Sequence, residues 1–164
     1  MHQVSLIMIG MVVMKILISA CLLGENCKYD GGNNRNDTVL ELVHGHDVIP
    51  VCPEALGGLR TPRVPSEIVD EKVINKEGIS VDDEFRSGAK KAFEIALENG
   101  VDMAILQSRS PSCGVNEIYD GTFSGTLIPG RGIFAQMLVD AGIKVVDAGK
   151  IDEESPTFIN LQLI

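Results

Sequence analysis

The chain has 164 residues, 45% of them apolar and 23% charged, a balance that fits one compact domain and excludes a disordered chain. Its 23 acidic against 14 basic side chains leave a formal net charge of −9, whose field repels phosphate and argues against non-specific binding to nucleic acid or an anionic membrane. Aromatic residues make up 4% with no Trp, which weighs against base-stacking platforms, and four cysteines are too few for a disulfide framework.

In chain order, the apolar stretch up to residue 23 contains Ile18-Ser19-Ala20-Cys21, which looks like the cleavage box of a bacterial lipoprotein signal. Lys15 interrupts that stretch and no Lys or Arg precedes it, so an export signal is disfavoured. Residues 15–20 are expected instead as a first buried strand, 1–13 as an N-terminal extension, 14–164 as a single domain, and the location as cytoplasmic, where disulfides are disfavoured. A short helix over 37–43 follows, capped by Asn36 or Asp37, then a strand over 47–51. Residues 53–68, rich in Gly and Pro, are expected as a long loop, and 72–75 as a short strand. The clearest helix is 82–98, with Phe85, Ala89, Ala92, Phe93, Ala96 and Leu97 on one face and Asn99-Gly100 as its stop. Beyond it come a strand over 101–107, a Ser/Pro/Gly loop over 108–114 and a hairpin over 117–127 turning at Asp120-Gly121. A helix over 132–141, a strand over 143–147 and a closing helix over 156–163 complete the reading.

Strands alternating with helices predict a mainly parallel sheet covered on both faces, a small Rossmann-like three-layer α/β fold. No Gly-x-Gly-x-x-Gly follows the first strand, and Gly130-Arg131-Gly132 reads as a turn, so a nicotinamide dinucleotide site is not supported.

The positions of the cysteines are informative. Cys21 directly follows the first strand, Cys52 the second, and Cys113 lies in the loop after the third long strand. Strands of a parallel sheet end on one edge, where such folds place ligands, so these three thiols are predicted to meet. No C-x-x-C is present, which disfavours a structural zinc knuckle and a thioredoxin-type pair. Three thiolates without a fourth suit an iron–sulfur cluster with one open iron. Cys27 has four readings: a fourth ligand, a support behind the site, a persulfide or sulfide acceptor, or a buried loop residue.

Several segments carry a family resemblance: Ser19-Ala20-Cys21-Leu22-Leu23-Gly24, Cys27-Lys28-Tyr29-Asp30-Gly31, Val51-Cys52-Pro53-Glu54, Gly57-Gly58-Leu59, Thr61-Pro62-Arg63 and Ser110-Pro111-Ser112-Cys113-Gly114. Over about residues 14–150 the chain resembles the DUF523 family, whose characterised branch is the thiouracil desulfurases. The resemblance implies an α/β fold holding a 4Fe–4S cluster through three cysteines, and non-redox removal of sulfur from thiolated pyrimidines. Carried over motif by motif, it implies Cys21, Cys52 and Cys113 as the ligands and catalytic roles for Glu54 and Ser110.

On that expectation the open iron, a Lewis acid suited to soft sulfur, binds the thiocarbonyl sulfur while Glu54 activates water as general base. Ser110 donates a hydrogen bond to the developing charge or relays a proton; a plain turn serine before Pro111 is the competing reading, as a solvated loop acid is for Glu54. Arg35, Arg60, Arg63 and Arg109 are cations of the same loops, able to meet a substrate carbonyl, a phosphate or a nearby acid, with surface exposure the favoured reading for Arg60. Asn33 and Asn34 read first as a turn, and His44 and His46 as capping or surface histidines. The expected partners are a small thiolated pyrimidine (base, nucleoside or nucleotide) and an acceptor for the released sulfide. Two rivals stand beside this reading: a non-catalytic iron–sulfur or zinc-binding module, such as a sulfur carrier or metal sensor, and a metal-free transferase using Cys113 as nucleophile.

Overall fold

The structure, a computed structural model, describes residues 13–151. The expected extension over 1–13, save its last residue, and the closing helix over 156–163 lie outside the described residues. The elements run β1 (Lys15–Ser19), a 3-10 turn (Ala20–Leu23), α1 (Asp37–Leu42), β2 (Asp47–Val51), α2 (Pro53–Leu56), β3 (Ser66–Val69), β4 (Lys72–Asn75), α3 (Asp82–Asn99), β5 (Met103–Leu106), β6 (Glu117–Tyr119), β7 (Leu127–Pro129), α4 (Ile133–Asp140), β8 (Lys144–Asp147) and a 3-10 turn (Ala148–Lys150).

β1, β2, β5 and β8 form one parallel sheet in the order β2-β1-β5-β8. Alternation along the strands sends successive side chains to opposite faces. Ile16 and Ile18 of β1 join Met103 and Ile105 of β5 on one face, under Val39 and Leu42 of α1. Leu17, Ala104 and Leu106 point the other way, onto Ala89, Ala92 and Ala96 of α3 and Phe134 and Leu138 of α4. A parallel sheet between two helical layers is the expected α/β architecture. Both inner strands are apolar on both faces because neither face meets water.

Three readings need correction, and a fourth, left open between two residues, is decided. The expected loop over 53–68 contains α2 and most of β3, which pairs antiparallel with β4. Four residues are too few to show a helical period, so α2 is set by its packing. Leu97, expected on the buried face of α3, is 56% exposed. The buried line runs Phe85, Ala89, Ala92, Ala96, and Leu97 lies about 100° round the helix from Ala96. The hairpin over 117–127 does not turn tightly at Asp120-Gly121. β6 pairs with β7, and the Asp120 N–H donates to the Thr126 carbonyl at 2.9 Å across a longer loop. Finally, α1 is capped by Asn36, whose side chain accepts from the Val39 N–H at 3.1 Å, so the choice between Asn36 and Asp37 is settled.

Candidate active site

Cys21, Cys27, Cys52 and Cys113 line a single cavity of about 490 Å³ at the carboxyl ends of β1, β2 and β5. Cys21 sits in the 3-10 turn that ends β1, closed by Gly24 in the left-handed region (φ +97°). The carbonyl of Cys21 accepts from the Asn34 N–H at 3.0 Å, and the Asn34 amide donates to the Cys21 sulfur at 3.5 Å. Asn34 thus ties the 24–36 loop back to the first strand end, a role its Gly-Gly-Asn-Asn turn did not announce.

Cys52 is the residue before α2, and Pro53 occupies the first helical position, where its missing N–H costs nothing. Glu54 follows in the first turn. α2 is pinned against α3 by a pair of glycines. A Cβ on Gly57 would overlap the Glu84 carbonyl oxygen, and one on Gly88 would overlap the Pro53 carbonyl oxygen. The two backbones therefore touch at the turn that carries Cys52 and Glu54. Arg63 comes back across this turn: its Nε donates to Glu54 Oε1 at 2.9 Å and its Nη2 to the Cys27 carbonyl at 2.8 Å. With side chains 10% and 16% exposed, Arg63 and Glu54 form a largely buried ion pair, so Arg63 is not the solvated arginine that composition suggests. The Ser112 hydroxyl, itself buried, faces Glu54 Oε2 at 3.4 Å.

The Cys113 turn is anchored from two sides. Ser110 Oγ accepts from the N–H groups of Ser112 (3.1 Å) and Cys113 (2.7 Å). The turn's carbonyls take donors from the start of α4: Gly132 N–H to Gly114 at 2.9 Å, Ile133 N–H to Pro111 at 2.7 Å and Ala135 N–H to Ser112 at 3.1 Å. The first N–H groups of α4 thus hold the thiol loop, and Gly130-Arg131-Gly132 is no phosphate cradle. Ser110 therefore shapes the turn, and it also lines the cavity.

The thiols differ electrostatically. The Cys52 thiol points at the Cys27 carbonyl at 3.9 Å, and the Cys27 thiol has its pKa raised by its neighbours Cys21 and Cys52. The same contact with Cys27 lowers Cys21, against the opposing effect of burial, with Asn34 assisting. Cys52 is lowered to about 6, first by the Cys27 thiol and then by the Ala55 N–H, and Arg63 favours its thiolate. Cys113, 5% exposed, is pushed up by burial. Among the described residues no three His, Cys, Asp or Glu side chains close on a point fit for a single metal ion. Each thiolate of an iron–sulfur cluster meets its own iron, so three thiols spread around one cavity suit that larger group.

The rest of the wall comes from residues that sequence reasoning passed over. Glu67 of β3, Tyr119 of β6 and Phe123 of the β6–β7 loop all line the cavity. No sequence signal marked Glu67, which follows Ser66 in a stretch read as loop. Arg109, with φ +70°, also lines the cavity. Arg60 is exposed, Arg35 pairs with Asp37 at 3.0 Å on the surface, and Asn33 bonds Asn26 there. His46 accepts from the Met14 N–H at 3.0 Å and His44 is exposed, so neither belongs to the site. Among the described residues no helix is long and apolar enough to cross a membrane.

A parallel α/β fold with thiols, a paired carboxylate and a serine converging at the strand ends defines the class: a protein that binds a small ligand in a thiol-lined cavity. The chain belongs to the 2-thiouracil desulfurase family, whose model matches residues 16–149. It is similar to the uncharacterized protein YbbK of Bacillus subtilis (strain 168), with 36% identity over 148 residues that cover 84% of this chain and 98% of that protein. It is also similar to a solved [4Fe-4S]-dependent thiouracil desulfidase, TudS, with a TM-score of 0.82 and 36% identity across 92% of this chain and 99% of the other.

Proposed function

We propose that this chain is a [4Fe–4S]-dependent desulfurase that converts a thiolated pyrimidine to its oxo form in the cytoplasm, with Cys21, Cys52 and Cys113 as cluster ligands. The observation that carries the reading is the meeting of these three cysteines, from three separate strand ends, in the cavity that also holds Glu54 and Ser110. Membership of the family and likeness to TudS support it.

A cluster held there supplies a Lewis-acidic iron that suits a soft thiocarbonyl sulfur. Glu54 takes a proton from water as the water oxygen bonds the ring carbon, and then returns a proton as the carbon–sulfur bond breaks. Arg63 on Oε1 and the Ser112 hydroxyl beside Oε2 fix the carboxylate for that task. Ser110 Oγ already accepts two backbone N–H groups, so its own proton is what it has to offer, and it donates to the charge developing on the substrate. The balance is C=S plus water to C=O plus hydrogen sulfide. No electrons enter or leave, so no redox partner is needed, and the sulfide passes to solvent or to an acceptor. Cys27 lines the same cavity and supports the site without binding the cluster.

Anaerobic purification followed by incubation with 2-thiouracil tests this. About four irons and four sulfides per chain, with uracil and sulfide released in equal amounts, are expected. Colourless protein holding one zinc overturns the reading. A cluster with no sulfide released from any thiopyrimidine leaves only a non-catalytic binding module.

A further inference from the structure

The chemistry above makes no use of the wall built by β3 and the β6–β7 loop. Glu67 is 8% exposed, yet its Oε1 accepts from the N–H groups of Gly121 (2.9 Å) and Phe123 (3.1 Å), 54 and 56 residues away. Among the described residues no donor reaches its Oε2 and no Lys or Arg lies within ion-pair distance, although the residue faces the cavity. Oε2 keeps access to the cavity, so this free acceptor is open to a donor from water or from a bound ligand. A carboxylate can only accept, so the ligand must present an N–H or O–H there.

The same carboxylate sets the aromatic beside it. Phe123 has φ +56°, a left-handed conformation that a bulky residue adopts only when its surroundings impose it. Its N–H is held by Glu67, and the Asp120 carboxylate accepts from the adjoining Thr122 N–H at 2.9 Å. The chain has seven aromatics (five Phe, two Tyr), and four of them, Tyr29, Phe85, Tyr119 and Phe123, line this one cavity. The few aromatic rings that weighed against nucleic-acid platforms are thus concentrated along one cavity.

We propose that Glu67 and Phe123 form the ring-recognition wall of the site: Phe123 meets the face of the pyrimidine, and Glu67 Oε2 accepts a ring N–H. The proposal rests on the thiopyrimidine reading and adds the edge by which the ring is read. The preferred ligand is a planar imide ring with an unsubstituted N–H, and a ring offering a lone pair or an alkyl group at that position is rejected.

The test uses cluster-loaded protein and the sulfur-free rings uracil, 1-methyluracil and 3-methyluracil, with dissociation constants from calorimetry. Wild-type protein should bind uracil and bind at least one methylated isomer about tenfold more weakly or worse. Glu67→Gln keeps an oxygen for Gly121 and Phe123 but replaces the free acceptor with an amide donor, so the gap between those rings should close. Phe123→Leu should weaken uracil binding about tenfold with iron content unchanged. Equal binding of all three rings by the wild type, no uracil binding, or an unaltered gap in Glu67→Gln overturns the proposal. Sulfide release without ring discrimination sinks the wall alone. Ring discrimination without sulfide release sinks the desulfurase reading alone.

Discussion

Cys21, Cys52 and Cys113 reach the cavity from the carboxyl ends of β1, β2 and β5, whereas Glu67, Tyr119 and Phe123 reach it from two short antiparallel hairpins. The thiol wall is placed by topology. Parallel strands with right-handed crossovers end on one edge, so any residue just past a strand arrives there whatever its side chain. The hairpin wall is placed by contacts between distant segments, chiefly the Glu67 carboxylate holding two N–H groups of the β6–β7 loop. The first wall holds the proposed cofactor and the second meets the proposed substrate. Loading and recognition should therefore respond to different substitutions.

The largest effect should come from Cys52→Ser, with iron retention and sulfide release both lost. Cys27→Ser should keep its iron, because the proposed ligand set of Cys21, Cys52 and Cys113 leaves Cys27 out. Iron analysis of the two variants side by side decides this, and an equal loss would mean a four-thiolate site. Next comes Glu54→Gln, with turnover down by about 10²–10⁴-fold at unchanged iron content, the range for loss of a positioned general base. Steady-state kinetics on reconstituted protein measures it, and a fall in iron alongside would make Glu54 part of the scaffold instead.

Smaller effects test where each wall gets its stability. Gly88→Ala forces a methyl onto the Pro53 carbonyl and should cost about 3 kcal/mol in denaturant unfolding, lowering iron content as the Cys52 turn shifts. Glu67→Ala leaves the Gly121 and Phe123 N–H groups without their acceptor and should cost about 2 kcal/mol. Its iron content should match the wild type. If Glu67→Ala loses iron as Gly88→Ala does, the two walls are one unit and the contrast between them fails.

Much of the thiol wall is written locally. The run Ile16-Leu17-Ile18 is apolar on both faces, which marks a buried parallel strand, and the cysteine just past it is then placed by the geometry of the sheet. Cys52 is placed just past β2 in the same way, and Glu54 comes with it two residues on, whereas Cys113 lies seven residues past β5 and also needs Ser110 and the first N–H groups of α4 to hold its turn. The burial of Arg63 against Glu54 was not legible, since an arginine nine residues away in a Gly/Pro stretch looks like any surface cation until the chain turns back on itself.

The sequence by itself determined the alternation of strands and helices, the parallel sheet and the edge where the cysteines gather, because periodicity and chain handedness act over a few residues at a time. Only the tertiary structure decided that residues 53–56 form a helix seated on Gly88, that Ser112 and Arg63 brace one carboxylate, and that Glu67 holds Phe123 at the cavity. Most of those features join residues 35 to 58 positions apart, and even Arg63, nine positions from Glu54, meets it only after the chain turns back, so no local pattern carries the information.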